Sequence, residues 1–195
     1  MRPRTPRAPA GLTALAIGAA LTFYLAIGSV WTFASRAAAD AWLDPQATGN
    51  VLAAASVVGI AGAALASCVG GRFARRAMPA AGYALLAASL VALAARPHAT
   101  GYGDAIFAFK FARTFVLPFI LASVAQIDTS ARLVATLNFV IGAGLAAGPL
   151  LAGLMLDAGG TMRVLFAAAT AVSIASLAAL LHIERRASAS VSSQP

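Results

Sequence analysis

One cysteine, two histidines and six acidic residues are all that this 195-residue chain holds of the side chains that most often carry metal or nucleophilic chemistry. With Cys68 alone there is no disulfide framework and no thiolate cluster. His98 and His182 fall near the ends of different apolar runs, which leaves no zinc or haem ligand set, and no metal or cofactor is expected. Charge of either sign is sparse: 10% of residues are charged, against about a quarter in average soluble composition.

What the chain has instead is apolar. Hydrophobic residues make up 61% of it and its mean hydropathy is +0.85. A soluble domain of this size leaves roughly a third of its unfolded-chain surface exposed and could not hide so much apolar side chain. Membrane residence follows. The net charge of +8 does not point to nucleic acid. Its arginines cluster at the ends of apolar runs (Arg2, Arg4 and Arg7; Arg72, Arg75 and Arg76; Arg185 and Arg186) rather than along one face.

Between the charges lie six apolar blocks, at 12–33, 50–69, 79–95, 105–124, 133–156 and 164–181. Each approaches the ~20 residues that a helix needs to cross ~30 Å of hydrocarbon. They are rich in Ala and Leu and lack period-2 alternation, so they read as helices rather than barrel strands. The expected fold is all-α: a polytopic bundle of six transmembrane helices over 11–183, with a basic tail at 1–10 and a C-terminal tail at 184–195. The opening apolar run, 8–35, is longer than the core of a signal peptide and reads as a mature helix. Nine Lys and Arg fall on one side of the six spans and three (Arg36, Arg96, Arg163) on the other. Both termini are therefore expected in the cytoplasm. Trp42 and Tyr102 fall in loops on the outer side, where interfacial aromatics are expected. The preference for Arg over Lys and the abundance of Ala point to a bacterial inner membrane.

Polar residues inside the spans are the candidates for function. Lys110 and Arg113 are the only charges that no loop can claim. Counted from residue 105, Lys110 is about 7 Å deep, able to snorkel, and Arg113 about 12 Å deep. A cation near the midplane costs about 2.5–3.5 kcal/mol on insertion scales, so something must compensate it. Thr114 shares their face at i+4 from Lys110. No acid lies in the six blocks, which leaves a ligand, a partner carboxylate or the loop acid Asp104 as counter-ion. In the first span Tyr24, about 18 Å from its inner end, and Trp31 share a face. They either form a pocket wall or serve as a packing position and an interface anchor. Asn138 in the fifth span either bonds to a neighbouring helix or lines the same path.

Other residues read as packing and hinge elements. Pro118 removes a helix hydrogen bond one turn after Thr114, so a kink is expected there. In the fifth span Gly142, Gly144, Gly148 and Gly153 with Pro149 make a face that another backbone can approach and, together, a possible pivot. In the second span Ala55, Gly59, Ala63 and Ser67 repeat the small-residue theme.

The stretch from Gly144 through Gly148 and Pro149 to Gly153 resembles the glycine-proline motif of the major facilitator superfamily. The inner loop with Gly71, Arg72, Arg75 and Arg76 is similar to that superfamily's loop signature, with Gly71 where the acid would stand and Ala74 where its glycine would. Asp128 to Arg132 resembles the acidic-to-arginine stretch after the fourth or tenth helix. The resemblance spans nearly the whole chain and fits the C-terminal half best. It implies one six-helix half with a 3+3 inverted repeat, whose first and fourth helices line the solute path. Tyr24, Trp31, Lys110, Arg113 and Thr114 lie on those helices. The function expected is secondary transport of a small solute, anionic or proton-coupled, by a fragment or half-size protein that pairs with a second half or a second copy. The alternative is a non-transporting or degenerate membrane protein acting as a partner or regulator. An intramembrane serine protease is disfavoured because no Gly-x-Ser-Gly stretch occurs; no enzyme activity is expected.

Overall fold

In hydrocarbon every backbone N–H and C=O must find a partner within the protein, and long Ala/Leu-rich stretches satisfy this as helices. The computed structural model describes residues 10–69, 77–125 and 131–191. Among these the chain forms α1 (Ala10–Thr32), α2 (Ala34–Asp40), α3 (Pro45–Val69), α4 (Ala77–Ala94), α5 (Ala99–Ala125), α6 (Ala131–Asp157) and α7 (Met162–Val191). All but the seven-residue α2 are long and apolar enough to cross a membrane. The protein is a six-helix membrane bundle.

The helices outrun the expected spans at several ends. The short α2 continues α1 after one irregular residue, Phe33, with the hydrogen-bond ladder carried from Phe33 N to Ser29 O and from Ala37 N to Phe33 O. Five residues earlier than expected, α3 starts where Asp44 Oδ1 accepts the Ala47 N–H at 2.9 Å and Pro45 fills the first helical position. Residues 99–104, expected in a loop, form the first turns of α5. Tyr102 is consequently not a loop anchor: it is 1% exposed and its hydroxyl donates to Ala34 O of α2 at 2.8 Å. Trp42 does stand out from the bundle, 89% exposed. At the other end α7 continues through the expected tail to Val191.

Three turns at one end of the bundle share a closing device. Trp42 (φ 64°), Arg96 (φ 54°) and Gly159 (φ 89°) each take the left-handed conformation just beyond a helix. Leu43 N then bonds Ala38 O, and Gly160 N bonds Met155 O, completing Schellman motifs. After Arg96 the next residue, Pro97, has no N–H to make this bond, and Arg163 Nε donates to a different carbonyl of the helix end, Ala94 O, at 3.3 Å.

The packing has internal order. Helix α1 lies against α6 and α7, α5 lies against α3 and α4, α4 meets α7, and α1 touches α5. Exchanging α1 with α5, α3 with α6 and α4 with α7 leaves this set of principal neighbours unchanged. Short connections alternate the direction of successive spans, so α1 and α5 run oppositely. The core lies where α1, α4, α5 and α7 meet, around Phe23, Leu86, Ile106, Phe109 and Phe166. There Tyr83 Oη and Ser176 Oγ are 2.7 Å apart, and Ser176 donates to Ala19 O at 2.8 Å.

Candidate functional site

Helix α5 has 27 residues, about 40 Å of rise. Because it begins at Ala99, Lys110 lies about 16 Å and Arg113 about 21 Å along it, on either side of its middle. Lys110 does not snorkel. Its stem runs across Gly59 of α3, where an added Cβ would stand 3.1 Å from Lys110 Cγ. Its ammonium lies over the Trp31 ring of α1, 3.4 Å from the centroid. Such a cation–π contact is worth about 2 kcal/mol when desolvated. The half-buried Trp31 ring is thus the platform on which the ammonium rests.

One turn on, Arg113 is half-buried and interacts electrostatically with Tyr24 and Lys110. Among the described residues it makes no hydrogen bond and no ion pair. Asp104 cannot serve as its counter-ion: nine residues earlier on the same helix, it lies about 13 Å away along the axis and half a turn round. Tyr24, its ring edge-on to Phe23 at 5.6 Å, has no hydrogen-bond partner among the described residues either. Ser173 Oγ is the one fully enclosed side-chain polar atom without a partner among those residues. The Tyr24 hydroxyl and the Arg113 nitrogens are therefore not fully enclosed, although the Tyr24 side chain as a whole is buried. Since α1 and α5 run antiparallel, Trp31 pairs with Lys110 and Tyr24 with Arg113, and the four side chains form one cluster.

Thr114 shares the face and also ties two helices together. Its hydroxyl is 2.6 Å from Gly59 O and 3.0 Å from Lys110 O, so it clasps α5 to α3. On α3 the buried stripe is Ala55, Gly59, Gly62 and Ala66, while Ser67 is exposed. Steps of four residues drift about 40° each from a 3.6-residue period, so Ala63 and Ser67 rotate out of the contact. Gly62 allows the closest approach: its added Cβ would sit 2.5 Å from Phe111 O.

The symmetry-related contact of α1 with α6 is built alike. Ser29 Oγ is 2.8 Å from Gly148 O and 2.8 Å from Leu25 O. An added Cβ would meet Leu25 O at 2.5 Å at Gly148 and Tyr24 Cβ at 2.7 Å at Gly144. Gly142 has nothing within 4 Å and Gly153 meets only Phe33 at 3.9 Å, so two of the four glycines make the interface. Helices α5 and α6 continue through Pro118 and Pro149 without a break. Asn138 is exposed, beside the buried stripe of α6, and among the described residues no hydrogen bond ties it to another helix. Gly71, Arg72, Arg75, Arg76 and Asp128 lie outside the described residues, as does the side chain of Arg132 in the first turn of α6.

Sequence reasoning missed Ser29, Gly62 and the Tyr83 and Ser176 pair. Gly62, three residues from Gly59, carried a helical-spacing signal; the isolated hydroxyls carried none. A crevice of about 280 Å³ opens between α1, α6 and α7, lined by Leu25, Ser29, Gly148, Leu151, Met155 and Leu165 among others. Its hydroxyls are tied to backbone carbonyls, so it offers an apolar surface only. No family model, curated protein or solved structure matches this chain.

Proposed function

We propose that this protein acts as one six-helix half of a secondary transporter, moving a small solute along the face shared by α1 and α5 in the manner of the major facilitator superfamily. The observation that carries the reading is the pair of cations at the middle of α5, neither with a hydrogen-bonded or ionic partner among the described residues. A membrane helix bears such residues where they face a solute path or a partner. The packing of two similar three-helix units supports it, since transporters of this kind nest such repeats within each six-helix half and rock one half against the other around a midplane site. A second half, or a second copy of this chain, completes the path. The distribution of arginines supports cytoplasmic termini, and the preference for Arg and Ala supports a bacterial inner membrane.

One observation favours the alternative of a non-transporting membrane partner. Lys110 is already satisfied inside the chain by Trp31, as a purely structural lysine would be. Flux into proteoliposomes decides between them, measured with the purified chain alone and with co-expressed six-helix partners. Transport that Arg113→Gln abolishes while the protein elutes and melts normally supports the proposal. Folded protein that yields no flux in any pairing contradicts it.

A further inference from the structure

Resting on the path reading above, the geometry points to the class of solute: we infer that Arg113 and Lys110 form a site for a dissolved small molecule bearing a carboxylate or phosphate. Arg113 brings five N–H donors in a planar fork that matches two oxygens of such a group side by side. None of these donors has a protein acceptor among the described residues, and they are not fully enclosed by the bundle. Thr114 does not compete, because its proton is engaged at Gly59 O.

Lys110 is the movable member. Its Cγ is in contact with Gly59, which anchors the stem, while the ammonium rests on Trp31 through a contact that directs none of its three donors to a specific acceptor. Three residues apart on one face of α5, the two head groups can converge on one anion. When Arg113 takes the oxyanion, Lys110 swings from the ring to a remaining oxygen. Ligand binding therefore exchanges a cation–π contact for a charge-assisted hydrogen bond. The Tyr24 hydroxyl, which interacts electrostatically with Arg113 and makes no hydrogen bond among the described residues, can donate to the same group. Lipid phosphate is out of reach: Arg113 lies about 21 Å from the start of α5 and about 18 Å from its end, at the level of the acyl chains.

The chain holds two tryptophans, so Trp42→Phe leaves Trp31 as the single fluorophore beneath the Lys110 ammonium. The protein in nanodiscs of zwitterionic lipid is titrated with sodium phosphate and with sodium acetate, at ionic strength held constant with chloride. The expected result is a saturable change in Trp31 emission. Half-saturation should rise about tenfold or more in Arg113→Gln. Arg113→Lys, which keeps the charge but loses the fork, should weaken binding as well, and Lys110→Gln should abolish the optical change. Thermal melting of each variant separates loss of the site from loss of the fold.

The inference is overturned by an emission unresponsive to both anions, by a response that Arg113→Gln leaves intact, or by a response to anionic lipid alone. Flux of an uncharged solute without any anion response would sink this inference and spare the path. An anion response without flux in any pairing would do the reverse.

Discussion

Two glycines on the same helix should respond oppositely to one methyl group. At Gly148 an added Cβ would lie 2.5 Å from Leu25 O and 3.1 Å from both the amide and the hydroxyl of Ser29. Best contact for a carbon is about 3.5 Å, so α1 must retreat from α6 by roughly an ångström at this point. The obstacle is backbone, which cannot rotate away, and the Ser29 hydroxyl would lose its 2.8 Å bond to Gly148 O. Overpacking of this kind costs about 1–3 kcal/mol and the hydrogen bond about another 1, offset by about 1 of helix propensity. Gly148→Ala should therefore destabilise by on the order of 1–3 kcal/mol. Gly142, with nothing within 4 Å, gains the propensity alone, up to about 1 kcal/mol. Melting of the purified protein in detergent, followed by circular dichroism, should separate the two variants by roughly 5–10 °C. Equal melting temperatures, or Gly142→Ala the less stable, would refute the claim that Gly148 and not Gly142 sets the distance between α1 and α6.

The other helix ends and interfaces make similar commitments. Thr114→Val should lose about 1 kcal/mol in the same melting assay by removing the 2.6 Å bond to Gly59 O, whereas Thr114→Ser should retain most of it. Ser176→Ala leaves the buried Tyr83 hydroxyl without its partner and should cost about 1–3 kcal/mol. Combined with Tyr83→Phe the cost should shrink, since neither polar group is then stranded. Arg96→Gly relieves a left-handed residue at the end of α4 and should raise stability by about 1 kcal/mol, read by the melting temperature.

Most of the fold was written in hydropathy. Long apolar blocks separated by charges gave the number and rough placement of the spans, because the requirement to cross hydrocarbon is one-dimensional. Their ends were less legible. The acid Asp104 reads as a loop residue, yet this segment is held in α5 by Tyr102, whose hydroxyl bonds a helix distant in sequence. That extra length moved Lys110 from the interface to mid-helix and changed its role. The exceptional charges at Lys110 and Arg113 were plain in the sequence; the partner of Lys110 was not, since only the fold brings α1, α3 and α5 together there. Small-residue spacing located the right helices but not the right face, because four-residue steps drift off a 3.6-residue stripe, as Ala63 and Ser67 do on α3.

The central claim is that Arg113 faces an aqueous path rather than lipid, and cysteine accessibility tests it most directly. In a Cys68→Ser background, Arg113→Cys is compared with Ile174→Cys, an exposed position on α7, which packs behind α1 and α4. A membrane-impermeant charged methanethiosulfonate reagent, applied to the protein in a bilayer, should modify the cysteine at 113 and leave that at 174 unreacted. If both cysteines prove equally inert, Arg113 does not meet water and the proposed path does not exist.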